Sequence, residues 1–211
     1  MTDIQQINTI EGFNESKLKE KGSLFIVQAY PIKSEDNVSE ILDKIKKEYF
    51  DATHHCYAYK IDKDNFKYSD SGEPSGTAGI SILNAIDKFN FINILVVVIR
   101  YFGGTKLGAG PLGKAYYNSA NKCLENSKKI IKHPYRKLSV ELDFDSIGNF
   151  HHLVNTFNVK ISNIKYSEKA AAEIYVQIQK EEFLKEELIK MTKGNAKVAI
   201  GEIIFFKLNS V

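Results

Sequence analysis

The chain has 211 residues, enough for one large domain or two small ones around a sizeable core. Its formal net charge is +3, from 29 basic and 26 acidic residues mixed through both halves, so neither half is a polycation. Any nucleic-acid site must therefore come from local placement of charge. The apolar share of 43% argues against long disorder. Cys56 and Cys123 are the only cysteines, too few for a disulfide framework, and they form no CxxC pair for redox or zinc chemistry. A reduced, cytoplasmic setting is the simple expectation. Met1 to Thr9 lacks a basic-then-apolar signal pattern, and the longest apolar run, Ile94 to Ile99, is too short to span a bilayer. No membrane partner is expected.

In chain order, Leu24 to Tyr30 reads as a strand, and Asp36 to Tyr49 as a helix with Val38, Ile41, Leu42, Ile45 and Tyr49 on one face. Ser34 suits its N-cap, and Glu35 and Asp36 its positive start. Thr53 to Ile61 is a second strand, followed by a polar turn at Asp62 to Asn65. Asp70 to Gly79 is a glycine- and proline-rich loop, in which Ser75 or Thr77 can cap the helix carrying Ile82, Leu83, Ile86 and Phe89. Ile92 to Tyr101 is a strand without polar alternation from Leu95 to Ile99, which implies cover on both faces. Gly103-Gly104 ends it. Leu107 to Gly113 leads into a helix reaching about Ser127, with a buried stripe of Ala115, Tyr116, Ser119, Ala120 and Cys123.

Lys128 to Arg136, with His133-Pro134, is the best linker segment, although Ile130-Ile131 could join a sheet edge. Beyond it Leu138, Val140, Leu142 and Phe144 alternate with polar neighbours as a half-buried strand should. A helix follows at Phe150 to Phe157, then a strand at Val159 to Tyr166 with a bulge near Asn163. Another alternating strand runs through Ala172 to Ile178. Glu181 to Met191 is a helix, and Val198 to Leu208 closes as a strand. The order β-α-β-β-α-β is the ferredoxin-like arrangement. The expected fold is α+β, with domains at 1–132 and 136–211.

Two glycine-rich loops, Asp70 to Gly79 and Arg100 to Lys114, each run into a helix. Glycine lets backbone approach a ligand closely, and free amides at a helix start favour anions. If the loops lie together, Arg100, Lys106 and Lys114 can converge on a phosphate-sized group; otherwise the glycines only make turns and the cations are solvated. Gly108-Ala-Gly110-Pro-Leu-Gly113 fits GxGxxG, but a loop separates it from the strand end at Tyr101 and no acidic strand end follows at the required distance. A dinucleotide site is rejected. Asp70 and Glu73 could hold magnesium or serve as a carboxylate pair, though such residues more often cap turns and pair with cations. His54 and Cys56 share one strand face; a buried, inert Cys56 is the more common outcome than a nucleophile. No metal-ligand spacing is present, and no cofactor is implied.

The blocks Asp51-Ala-Thr-His54 with Cys56 and Ala58, Ser69 to Gly79, and Val96-Val-Val-Ile-Arg-Tyr-Phe-Gly-Gly104 with Lys106-Leu-Gly108 resemble the IMPACT/YigZ family over about Gly12 to Ser127. The eukaryotic members' RWD domain has no counterpart here, so the shorter bacterial form is the expectation. The resemblance implies an N-terminal domain similar to the second domain of a ribosomal small-subunit protein and to domain IV of the translocating elongation factor. It implies a C-terminal domain similar to the ferredoxin-like domain V of that factor. It further implies a role in translation regulation, with RNA or the ribosome as partner and a translation factor as a further candidate. In matching positions stand Arg100, Tyr101, Gly103, Gly104 and Lys106, with Ser75 and Thr77 and, in support, Asp70, Glu73 and His54. Lys114 stands where many relatives carry arginine, so the charge survives but a bidentate grip does not. The first reading is a non-catalytic binder. The second is an enzyme or sensor holding a nucleotide or phosphorylated small molecule at the same loops, in which Asp70 or Glu73 holds magnesium or acts as a base.

Overall fold

The computed structural model describes residues 6–207, and the chain divides into two compact units, 8–130 and, together with Ile7, 131 onward. The first unit begins at β1 (Ile7–Ile10), where Glu11 N–H donates to Lys128 O at 2.9 Å. Next come β2 (Asn14–Glu20), β3 (Ser23–Pro31), α1 (Glu35–Glu48), β4 (His54–Lys60), β5 (Phe66–Ser69), α2 (Gly79–Lys88), β6 (Ile94–Tyr101) and α3 (Ala109–Glu125). Strands β2-β3-β6-β4-β5 form an antiparallel sheet in that order, with β6 at its centre.

The run Leu95–Ile99 is apolar on both sides because both faces of the sheet are covered. Val96 and Val98 join Phe25, Val27, Cys56 and Ala58 against Ile82, Ile86, Tyr116 and Ala120 of α2 and α3. Leu95, Val97 and Ile99 join Ile26 and Tyr59 against Val38, Leu42 and Ile45 of α1. Ser34 caps α1 as expected, its side chain accepting from Asn37 N–H. Strands β2 and β5 escaped the sequence pattern for a physical reason: they are the sheet edges. The segment NESKLKE has one apolar residue, and FKYS leaves Phe66 and Tyr68 exposed. Charged, short edge strands resist pairing with other chains and so do not alternate clearly.

Lys128 to Arg136, expected as a linker, is instead almost wholly strand. β7 (Lys129–Leu142) runs through it, with Pro134 just outside the stretch that pairs with β9. Buried Tyr135 and the pairing of Lys132–Arg136 with the final strand explain why this basic segment is ordered. The second unit continues with α4 (Ile147–Phe157), β8 (Lys160–Tyr166), β9 (Ala170–Gln177), α5 (Glu181–Met191) and β10 (Lys197–Lys207). Strands β10-β7-β9-β8 are neighbours in that order, all antiparallel. Leu138, Val140, Leu142, Ala172 and Ile174 pack on Phe150, Val154, Leu184 and Leu188. The bulge falls between Ile161 and Asn163, as the sequence suggested. Phe144 departs from the alternation, because the strand ends at Leu142 and Phe144 sits exposed in a 3-10 turn. Among the described residues no helix is long and apolar enough to cross a membrane.

Candidate anion-binding cleft between two glycine loops

The antiparallel register fixes the site. On β6, Arg100 pairs with His54 of β4 and with Phe25 of β3, so its side chain falls on the face that carries α2 and α3. A cleft of about 420 Å³ opens there, lined by His54, Glu73, Pro74, Arg100, Phe102 and Lys106 through Ala109, with Leu112. Both glycine loops contribute to it. Its size falls within the range usual for small-ligand sites.

The first loop is wound around its own carboxylates. Asp70 accepts from Gly76, Ala78 and Gly79 N–H at 2.8–2.9 Å and thereby caps α2. Partial burial alone would raise its pKa, but the N–H groups of Gly79, Gly76 and Ala78 together hold it below the usual aspartate value. Ser75 and Thr77, expected as caps, do not cap. Ser75 is exposed and Thr77 is buried with its hydroxyl donating to Pro74 O at 2.6 Å. Three residues on, Glu73 turns inward and is nearly buried. Its Oε1 accepts from Arg100 Nη1 at 2.5 Å and from Tyr116 Oη at 2.7 Å, and its Oε2 lies 3.6 Å from His54 Nε2. His54 Nδ1 stands 2.9 Å from Ser71 O, which can only accept, so Nδ1–H is the donor in this contact.

Arg100 is therefore not the free grip that its place at a strand end suggested. It is 4% exposed, with Nη1 on Glu73, Nη2 donating to Ser23 Oγ at 3.2 Å, and Cζ 5.5 and 5.6 Å from the ring centroids of Phe25 and Phe102. The Nε–H alone has no acceptor among the described residues. Tyr101, the next residue on the strand, points to the opposite face and donates its hydroxyl to Asp51 at 2.8 Å, outside the cleft. Lys114 is exposed and does not line the cleft.

The second loop is open where the first is closed. Gly103 crosses Gly22 so closely that a Cβ there would stand 1.9 Å from the Gly22 carbonyl carbon, and its N–H donates to the buried Ser23 Oγ. Gly104 and Gly108 adopt φ of 84° and 80°, the left-handed region that favours glycine. Helix α3 then begins with no side-chain cap and no acid in its first turn. Among the described residues the Ala109 and Gly110 N–H groups find no acceptor, because the first bond of the helix is Leu112 N–H to Gly108 O. Lys106 is exposed beside them on the cleft rim.

Cys56 is sealed beneath, with Sγ 2.9 Å from Asp70 O and 3.3 Å from Tyr116 Oη. Burial pushes its thiol up to about 12, so it is no nucleophile at neutral pH. Tyr116 is raised as well, by burial first and then by Cys56 and Glu73. Among the described residues no group of three or more acidic, His or Cys side chains is placed to hold a metal. What the arrangement offers to a ligand is a set of donors and one half-exposed aromatic face, Phe102.

Compared with known proteins, the chain is 31% identical over 201 residues to the IMPACT family member YvyE of Bacillus subtilis, covering 94% of this chain and 93% of that one. The chain belongs to the IMPACT/YigZ family. The Impact N-terminal domain model matches residues 21–124, which contain every residue of the cleft. The IMPACT family member YigZ of Escherichia coli is 30% identical over 150 residues, 69% of this chain and 74% of its own length. A crystal structure of a hypothetical protein shares the fold, with a TM-score of 0.71 at 24% identity over 94% of this chain and 98% of the other. Within the IMPACT-type domain, sequence reasoning missed Ser23, Phe102 and the hydroxyl of Tyr116. Phe102 carried a signal, an aromatic directly before Gly103-Gly104. Ser23 and Tyr116 are 77 and 43 residues from the partners they hold, beyond any local pattern.

Proposed function

We propose that this IMPACT/YigZ protein is a non-catalytic, translation-associated regulator that binds RNA, free or within the ribosome, through the rim of the cleft. The observation that carries the reading is that the exposed Lys106, Ala109 at the open start of α3 and the half-exposed ring of Phe102 line one cleft. Backbone phosphate contacts supply most non-specific affinity for nucleic acid, and aromatic faces accept bases of any sequence. Arg100 serves this surface by holding its shape, locked to Glu73, rather than by gripping phosphate. Family membership supports the link to translation. The strand order β10-β7-β9-β8 supports a ferredoxin-like second unit, comparable to elongation factor domain V. The family resemblance supports a first unit, earlier in the chain, comparable to domain IV. The cytoplasm is where such a role is exercised.

Ribosome co-sedimentation and anisotropy titrations of single-stranded RNA over a salt series test this. Lys106→Ala should weaken binding and lower the slope of log K against log salt by about 0.7, one phosphate equivalent on a single strand. An unchanged slope removes Lys106 from the interface, and no binding to RNA or ribosomes removes the reading. The concave shape of the cleft favours one second reading, a sensor for a nucleotide or phosphorylated metabolite. Calorimetry against a nucleotide and sugar-phosphate panel separates the two.

A further inference from the structure

We infer that the cleft is built for a terminal phosphate monoester of a nucleotide, not for the internal diester of a continuing strand. The inference rests on reading this cleft as the binding site, and it names the chemical group the site takes. An open helix start would be weak ground alone. Here a second, independent feature belongs to the same cleft: Arg100, 4% exposed and part of the cleft wall, keeps a buried Nε–H with no acceptor among the described residues while its other nitrogens are engaged. Buried polar groups without partners are rare in folded proteins, and a missing ion is one of the few explanations for them.

The donors fit a monoester better than a diester. Lys106, Ala109 and Arg100 line the one cleft, and Gly110, next to Ala109, adds a second open N–H at the start of α3. A monoester carries three terminal oxygens and a charge of about −1.5 to −2 at neutral pH, whereas a diester has two free oxygens and one charge. The α3 dipole and Lys106 favour the larger charge. Glu73 does not oppose it strongly, since its carboxylate is already neutralised by Arg100 and accepts from Tyr116. Pro111 has no N–H and confines the open donors to the two preceding residues, a patch as wide as one phosphate. Phe102, half-exposed on the same cleft, gives the attached base a ring to lie against.

The group could come from an RNA end or from a free mononucleotide, and the test has an arm for each. Binding of one short oligoribonucleotide would be measured with a 5′-phosphate, a 3′-phosphate or hydroxyl ends, alongside calorimetry with free nucleoside monophosphates. A terminal phosphate at one end should tighten binding about tenfold, as expected for charge-assisted hydrogen bonds. Ala109→Pro deletes one donor at the helix position that best tolerates proline, and Lys106→Gln removes the charge without touching the helix. Each should erase most of the tenfold preference, read as the ratio of phosphate-ended to hydroxyl-ended binding by the same variant, so that a general loss of RNA affinity cancels. Equal binding of all three RNAs overturns the inference and leaves the RNA reading standing. Mononucleotide binding without RNA binding upholds the inference and overturns the RNA reading. Silence in every arm overturns both.

Discussion

The two glycine loops of the first unit have similar compositions and opposite electrostatic states. Asp70 to Ala78 carries its own anions: Asp70 saturates the start of α2, and Glu73 reaches across to neutralise Arg100. Phe102 to Gly108 contains no acid, and α3 starts with open amides. A helix N-terminus favours a negative charge wherever that charge comes from. In the first loop the chain supplies it, and in the second neither the loop nor the first turn of α3 does. Glycine content alone does not separate a loop closed on its own acids from one with open amides; the position of carboxylates does.

The comparison breaks most visibly at the Glu73–Arg100 pair. If the first loop is a lock, removing either partner leaves a buried, uncompensated charge, so Arg100→Ala or Glu73→Ala should cost about 3–5 kcal/mol in urea unfolding. A double replacement by apolar residues, Glu73→Leu with Arg100→Met, should cost less than either alanine variant, because no charge is left unpaired. A loss below about 1 kcal/mol for Arg100→Ala would mean that the pair is not holding the loops together.

The effect at Asp70 should be smaller and dependent on pH. Asp70→Ala removes three backbone contacts and the α2 cap, a loss of about 2 kcal/mol. The folded-state pKa of Asp70 is depressed, so its contribution is complete above the unfolded value, ordinarily 3.8, and is lost as pH falls through the lower folded one. The stability gap between the native protein and Asp70→Asn should stay constant above about pH 4 and close below it. A gap that persists in acid would assign the effect to packing and not to charge.

Much of this was readable beforehand, and what was hidden had a common cause. The bare apolar run Leu95–Ile99 announced a central strand, Ser34 announced α1, and the stripe from Ala115 to Cys123 marked the buried face of α3. Those signals are local. Arg100 was legible as a cation at a strand end, but whether its guanidinium met solvent depended on Glu73, 27 residues away. The sequence offers Ser75 or Thr77, the residues just before α2, as its cap, whereas Asp70 reaches the same amides from the far end of the loop. Lys128 to Arg136 looked like a linker because its partners, Phe205 to Lys207 among them, come at the end of the chain.

The smallest change should sharpen the contrast most, by giving the second loop what the first already has. Ala109 is exposed, and an added Asp side chain at this first helical position would meet the open amides of α3 from within the chain. Acids in the first turn of an exposed helix stabilise by about 0.3–1 kcal/mol, so Ala109→Asp should unfold at slightly higher urea than the native protein. The same carboxylate would repel a phosphate from the position it now fills. Ala109→Asp should therefore be more stable and bind phosphorylated RNA ends more weakly, whereas a merely damaged loop would lose on both measurements. If stability rises and binding is untouched, α3 has an ordinary uncapped start and the ligand lies elsewhere. Opposite movement of the two readouts would show that the helix start is kept open at some expense to the fold.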